Sequence, residues 1–125
     1  MIIVCDCSPN LTIPTQNVLA VSTHYVLPVS LDFLSAIGIA LLTTRFKEFA
    51  EQMDHKITLA DIVFSRVGRP ARKRSETIVS IREQFKEMVL ESELKERVSV
   101  AEAAEEARSI FQSNDRNAIS EFSNI

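Results

Sequence analysis

The sequence predicts an α/β domain: a partial doubly wound parallel sheet with helices on both faces, in three layers. Two patterns indicate this class. Short apolar runs suit strands buried on both faces, and they alternate with segments whose apolar residues recur every three to five positions, as in amphipathic helices. The 125 residues, 46% of them hydrophobic, can form one core. No Pro/Gly-rich linker divides them, so residues 1–125 are expected to form a single domain.

The elements follow from local patterns along the chain. Met1–Asp6 is an unbroken apolar run ending in a carboxylate, which favours a buried strand. Pro14 suits the first turn of a helix, and the Ser99-x-x-Glu102 spacing is typical of a capping box. The predicted elements are strand Met1–Asp6, helix Pro14–Ser22, strand Tyr25–Val29, helix Phe33–Met53, strand Ile57–Phe64, helix Ser75–Glu87, strand Met88–Leu90, helix Ser99–Gln112 and helix Asn117–Phe122.

Composition excludes several kinds of site. Gly38 and Gly68 are the only glycines, so the chain has no complete glycine-rich phosphate loop. Cys5 and Cys7 cannot form a four-thiolate site, and their spacing predicts small apolar side chains buried in the first strand. Reduced thiols and the lack of a secretory leader lead us to expect a cytoplasmic protein. No apolar run reaches the roughly 18 residues of a membrane span, so no membrane partner is expected.

Asp6 is the first candidate functional residue. In doubly wound sheets, ligands bind at the carboxyl ends of the strands. A carboxylate that ends an apolar strand is how nucleoside triphosphatases hold the waters of a bound Mg²⁺. The alternative is an aspartate that only caps the following turn, and spacing alone does not separate the two.

Several motifs in order resemble the ParA/MinD-like partition ATPases. Ile2–Leu11 is similar to the family's Walker B strand and switch region, in which an apolar run precedes Asp-x-Pro-Pro-x-Leu. The further matches are Thr15-x-Asn17-x-Leu19, Pro28-Val29, Phe33-Leu34-Ser35 with Gly38, Ile62–Val67 and Glu102-Ala103. Together these motifs span nearly the whole chain.

The resemblance implies the carboxyl-terminal portion of a P-loop NTPase-like domain, from the Walker B strand onward. The family's Lys-Gly-Gly-x-x-Lys-Thr loop is not in this sequence, so the expected sheet lacks the P-loop strand and helix, beside which the Walker B strand would lie. The implied ligand is Mg-ATP, with nucleotide contacts from Asp6, Pro9, Ser65 and Arg66, and with Asp6 reaching Mg²⁺ through water. No catalytic residue is expected in this chain alone. Whether it is an enzyme stays open, and the isolated chain is expected to be inactive.

The resemblance also implies partners. They are the missing amino-terminal half or a full-length homologous subunit, non-specific duplex DNA and a ParB-like activator. Five cations within nine residues suit the DNA backbone, which would associate the chain with the bacterial nucleoid; they are Arg66, Arg69, Arg72, Lys73 and Arg74. The alternative is a solvated loop whose arginines pair with Glu76 and Glu83.

Two other functions stay open beside a truncated partition ATPase. One is a non-catalytic module that binds DNA or a protein partner. The other is a poorly folding gene fragment, because Ile2–Cys5 without a neighbouring strand would form an apolar sheet edge that is prone to self-association.

Overall fold

A computed structural model describes residues 1–8, 10–31, 35–68 and 72–125. Within these ranges lie five α-helices, three β-strands and two short 3₁₀ turns. The helices are α1 (Ile13–Val21), α2 (Ser35–Gln52), α3 (Arg72–Phe85), α4 (Val98–Glu105) and α5 (Arg116–Ser123). The strands are β1 (His24–Ser30), β2 (Thr58–Val67) and β3 (Val89–Lys95), and the 3₁₀ turns are Lys86–Met88 and Ile110–Gln112.

The three strands form one parallel sheet in the order β1-β2-β3. Leu27 of β1 lies opposite Ile62 of β2, and Ile62 lies opposite Val89 of β3. Parallel neighbours need a long crossover, which α2 supplies between the first pair and α3 between the second; these two helices pack against each other. The α/β class and the parallel sheet are therefore confirmed.

The core lies between the sheet and the crossover helices. Ile62 and Phe64 in β2 and Ile81 in α3 have no exposed surface. The ring of Tyr25 in β1 meets the ring of Phe46 in α2 edge to face, with 5.0 Å between centroids. The central strand, β2, is thus the most deeply buried element of the sheet.

The first predicted strand is wrong. Residues 1–8 form no strand, and Ile2 and Val4 are 90% and 87% exposed. Cys5 and Cys7 are exposed free cysteines and not the buried apolar side chains expected from their spacing. A single strand cannot pair its own backbone groups, and in the described part of the chain no strand lies beside this segment. The apolar run is strand-like in composition and lacks a partner.

The ends of two elements in the carboxyl-terminal part of the chain, β3 and α4, also differ from the prediction. β3 extends to Lys95, through residues expected to form a polar connection. α4 ends at Glu105 rather than near Gln112, and Ala107 adopts a positive φ of 51° just beyond it. The expected capping box at Ser99 is absent because Arg97 occupies the N-cap position of α4.

None of the helices in the described ranges has the length and apolar character needed to cross a bilayer.

Candidate functional site

A cleft opens where β2 and β3 end. Val67 and Lys95, the last residues of these strands, lie opposite each other in the ladder, and the Glu96 N–H donates a hydrogen bond to the Val67 carbonyl at 3.1 Å. The cleft has a volume of about 570 Å³. Its walls are Val67, Gly68, Arg74, Ser75, Ile78, Glu93, Lys95, Glu96 and Arg97. It therefore occupies the sheet edge at which ligands bind in open α/β folds.

The cleft is lined by charges of both signs. Arg74 comes from the first turn of α3, and Lys95 and Arg97 follow directly on β3, while Glu93 and Glu96 are the two acidic members. Arg97 is paired with Glu121 and Asp115 outside the cleft, so Arg74 and Lys95 balance Glu93 and Glu96, and a polar ligand is favoured. Ile78 adds apolar surface, against which a planar ring can pack.

Gly68 leaves the cleft open between the side chains of Arg74 and Glu96. A Cβ atom at this position would lie 3.3 Å from Nη1 of Arg74 and 3.3 Å from Oε2 of Glu96. A side chain at position 68 would therefore push both charged groups or fill the space between them. Gly38 on α2 provides the opposite case, because a Cβ atom there meets nothing within 4 Å.

Arg66 has an unusual backbone beside this cleft. Its φ is 53° although it is not glycine, and it lies where the β2–β3 register shifts between Phe64 and Val67. The left-handed region costs a residue with a side chain roughly 1–2 kcal/mol. Its side chain is 79% exposed, and its Nη2 lies 3.9 Å from Oε1 of Glu96. Backbone strain of this kind is often found near functional sites.

An ionic network holds one wall of the cleft. Arg97 donates to Glu121 of α5 through Nη2 at 2.5 Å and through Nε at 3.2 Å. The Lys95 N–H donates to the same carboxylate at 3.2 Å. The second acid is Asp115, which lies 3.8 Å from the Arg97 guanidinium and accepts from the Ser99 hydroxyl at 2.7 Å. The end of β3 is thus tied to α4 and α5.

The same contacts shift the pKa values of the network. The hydrogen bond from Arg97 is the main cause of the lowered pKa of Glu121, and the Ser99 hydroxyl is the main cause of the lowered pKa of Asp115. The hydrogen bond to Glu121 raises the pKa of Arg97. Each shift favours the charged form of its group, so the network is fully ionised near neutral pH.

The structure describes three of the four predicted nucleotide residues, in two parts of the chain. Asp6 lies on the exposed amino-terminal segment, and Pro9 lies outside the described residues. Ser65 lies opposite Ser30 in the sheet. Ser65 and Arg66 directly precede the cleft residue Val67 but are not among its walls. Ser65 and Arg66 remain candidates by position, and Asp6 remains a candidate by sequence alone.

The residues present do not fit a complete Mg-ATP site. Mg²⁺ in such sites is held by one or two carboxylates together with waters and substrate phosphates. Asp6 is one exposed carboxylate, and the sequence has no phosphate loop to bring the phosphates to it. In the described ranges no group of three or more His, Cys, Asp or Glu side chains is placed to hold a metal ion.

The four described members of the predicted DNA-binding set lie in a strand and a helix. Arg66 lies in β2, whereas Arg72 and Arg74 lie in the first turn of α3, so this helix begins three residues earlier than expected. Arg69 lies outside the described residues, and Lys73 is described for its backbone only. Arg72 Nε donates to Glu76 at 2.9 Å, which confirms one of the two expected acidic partners.

Sequence reasoning missed most of the cleft walls. Lys95, Glu96 and Arg97 were expected to form a polar connection, and Ser75 was expected only to begin a helix. The available signal was the charged residue at every second position after Leu90, at Glu91, Glu93 and Lys95, which is typical of a half-exposed strand. Extending that strand to Lys95 would have placed the three charged residues at the carboxyl edge of the sheet.

Comparison with known proteins adds an independent observation. Residues 1–59 match the AAA domain family. An uncharacterized protein of Mycobacterium tuberculosis, found in two strains, is 25% identical over 99 residues, which are 79% of this chain and 31% of that protein. Cell division protein PomZ of Myxococcus xanthus is 24% identical over 110 residues, which are 88% of this chain and 34% of PomZ.

The chain spans about a third of the length of these curated relatives. The matched region begins at the first residue and includes the segment with Asp6. The chain is thus similar to an AAA domain over its first 59 residues and, at low identity, to a cell division protein.

Proposed function

We propose that this chain supplies the base side of the nucleotide site in a ParA-like plasmid or chromosome partition ATPase, and that it does not hydrolyse ATP alone. The observation that carries the proposal is the cleft at the carboxyl ends of β2 and β3, in a chain similar to the cell division protein PomZ. The phosphate-gripping loop would come from the missing amino-terminal half or from a full-length homologous subunit.

The cleft residues have separate roles in this proposal. Ile78 offers a surface for the base, and Lys95, whose side chain is 60% exposed, meets a polar ligand from the end of β3, while Arg97 stays paired with Glu121. Arg66 lies next to the cleft with an exposed guanidinium that is free to turn toward a ligand at the cost of one surface ion pair. Surface ion pairs are worth about 0–1 kcal/mol, so a bound ligand can replace this one.

The test compares the same substitution at two glycines, one in the cleft and one outside it. Gly68→Leu fills the space between Arg74 and Glu96, whereas Gly38→Leu adds the same side chain where nothing lies within 4 Å. We expect a fluorescent adenine nucleotide to bind a mixture of this chain with a polypeptide carrying the phosphate loop. Gly68→Leu should weaken that binding, and Gly38→Leu should not.

Two results would contradict the proposal. Equal nucleotide affinity of both leucine variants would show that the cleft takes no part in binding. Turnover of ATP by the purified chain alone, after contaminating ATPases are excluded, would refute the inactivity of the isolated chain.

A second candidate function is non-specific binding of duplex DNA. It is favoured by the accessibility of two cations near the cleft, since the side chains of Arg72 and Arg66 are 92% and 79% exposed. Their partners, Glu76 and Glu96, reduce the local positive charge but are themselves exposed. Each phosphate contact contributes about −0.9 to the slope of log affinity against log salt. A slope near −4 would need nearly all five cations.

Charge reversal tests this second candidate. Arg72→Glu should weaken duplex binding and make the salt slope shallower by about one. Arg45→Glu is the matched control, because Arg45 is also an exposed helical arginine paired with a glutamate, at 3.3 Å on α2. Affinity that is independent of salt, or equal losses in both variants, would exclude a DNA site at Arg72.

A further inference from the structure

One carboxylate on α5, that of Glu121, holds both residues that flank Glu96 in the cleft. Its Oε2 accepts from the Lys95 N–H at 3.2 Å and from Nε of Arg97 at 3.2 Å, and its Oε1 accepts from Nη2 of Arg97 at 2.5 Å. Lys95, Glu96 and Arg97 are walls of the cleft, whereas Glu121 is not among them. Glu121 can therefore affect a ligand in the cleft only through the residues that it holds.

The contact between Arg97 and Glu121 fixes an orientation as well as a distance. Two donors of one guanidinium meet two oxygens of one carboxylate, and such bidentate pairs add geometric specificity. The side chains of Arg97 and Glu121 are 22% and 17% exposed, against 60% for Lys95. This pair is thus the shielded part of the wall, and Lys95 is the part that a ligand can reach.

The position of Glu121 is set by an apolar cluster separate from the core of the sheet. In this cluster α5 buries Ala118 completely, against Ala103 and Ile110. β3 is the outer strand of the described sheet, so the Lys95 N–H takes its acceptor from α5 and not from a further strand. The packing of the carboxyl-terminal helices therefore sets the direction of the last residues of β3.

We propose that Glu121 is a positioning residue of the cleft, which holds the end of β3 so that the Lys95 ammonium meets the bound ligand. The inference rests on the proposed function, because the ligand is the nucleotide of the same cleft. Nζ of Lys95 lies 4.0 Å from Oε1 of Glu121, and Arg97 already pairs with that carboxylate. The ammonium can therefore turn to a ligand while Glu121 keeps its partner and the Lys95 N–H keeps its acceptor.

The experiment is a double-mutant cycle on the binding of a fluorescent adenine nucleotide to the full chain mixed with the phosphate-loop polypeptide. Lys95→Met removes the ammonium, keeps an unbranched side chain and should weaken binding by about tenfold. Glu121→Gln removes the charge and places an amide against the donors of Lys95 and Arg97, so it should weaken binding by about fivefold as a coupled neighbour. The double variant should bind like Lys95→Met alone, to within about twofold.

Glu48→Gln is the matched control. Glu48 is also a helical glutamate paired with an arginine, Arg45, at 3.3 Å, and it lies on α2 and not among the cleft walls. This variant should leave nucleotide affinity unchanged. All variants are compared below their unfolding transitions, which circular dichroism follows. A loss of affinity that came only from a weaker fold would persist in the Lys95→Met background, so the cycle separates positioning from general destabilisation.

Hydrogen exchange of the unmodified chain adds a measurement that needs no variant. The Lys95 amide should remain protected when nucleotide binds, because Glu121 keeps accepting from it. Loss of that protection on binding would overturn the positioning role. An additive double variant, or unchanged affinity of Glu121→Gln, would do the same.

The two glycine variants separate this inference from the proposed function. If Gly68→Leu weakens nucleotide binding and Glu121→Gln does not, only the positioning role is wrong. If Gly68→Leu and Gly38→Leu bind nucleotide equally, the cleft is not the ligand site and both proposals fail.

Discussion

Arg82 connects α3 to β3, and its removal tests how the wall of the cleft is held. Its guanidinium donates to the Leu90 carbonyl at 3.1 Å and to the Glu91 carbonyl at 3.2 Å. It also lies 3.3 Å from the Glu93 carboxylate and 5.2 Å from the centroid of the buried Phe64 ring. One side chain therefore fixes the last helix before the cleft to the strand that ends in it.

The expected cost of Arg82→Met follows from these contacts. Two hydrogen bonds contribute about 0.5–1.5 kcal/mol each. The ion pair, with side chains 32% and 28% exposed, adds about 0–1 kcal/mol, and the ring contact adds about 0.5–1 kcal/mol. Methionine keeps an unbranched apolar chain over Phe64. Because water can replace part of the polar contacts, we expect a loss of about 2–3 kcal/mol in the free energy of unfolding.

Chemical denaturation followed by circular dichroism measures this loss. The midpoint should fall while the slope of the transition stays the same, because the surface exposed on unfolding does not change. Arg45→Met is the control, since Arg45 makes one exposed ion pair, with Glu48, and should lose less than about 0.5 kcal/mol. If the two variants unfold at the same denaturant concentration, Arg82 does not secure β3 and the contact-based reasoning is wrong.

Three further predictions concern the two cores and the ionic network. Ile62→Ala should cost about 2–5 kcal/mol of unfolding free energy because Ile62 is fully buried, whereas Ile13→Ala, at a 73% exposed position, should change the denaturation midpoint little. Ala118→Leu should cost about 1–3 kcal/mol through overpacking, since Ala118 is fully buried in the second apolar cluster with Ala103 and Ile110, and thermal unfolding measures it. Glu121→Gln should destabilise the chain most at neutral pH. The pKa of Glu121 is lowered in the folded state, so the folded state binds fewer protons than the unfolded state. The stabilisation is therefore present above the ordinary pKa of 4.5 and is lost as pH falls through the lowered pKa. Unfolding curves of Glu121→Gln and the unmodified chain should therefore converge in acid, and a constant difference at all pH values would exclude this linkage.

The middle of the fold was predictable from the sequence because its signals are local. Helix α1 begins with a proline in its first turn, and α2 carries its buried Ile39, Phe46 and Ala50 at helical spacing. β1 and β2 contain apolar residues that only a covered sheet accommodates. In each case the residues that define the element also form its contacts.

The ends of the fold were not predictable in the same way. Strand β3 carries Glu91 and Glu93 within its length, so its charge obscured the alternation, and its two glutamates are tolerated because that strand is only partly covered. The residues that line the cleft, Lys95 to Arg97, were missed for the same reason. The Arg97–Glu121 contact joins residues 24 positions apart, and such a pairing is not visible in a local pattern.

The amino-terminal segment shows why composition alone does not make a strand. Met1–Asp6 has the sequence of a buried strand, but a strand is stable only when its backbone groups are paired. In the described part of the chain no strand lies beside this segment. The phosphate-loop polypeptide of the proposed function would supply one, so the amides of Ile2–Cys5 should gain protection from hydrogen exchange when that polypeptide is added. Equal exchange with and without it would show that no strand forms beside them.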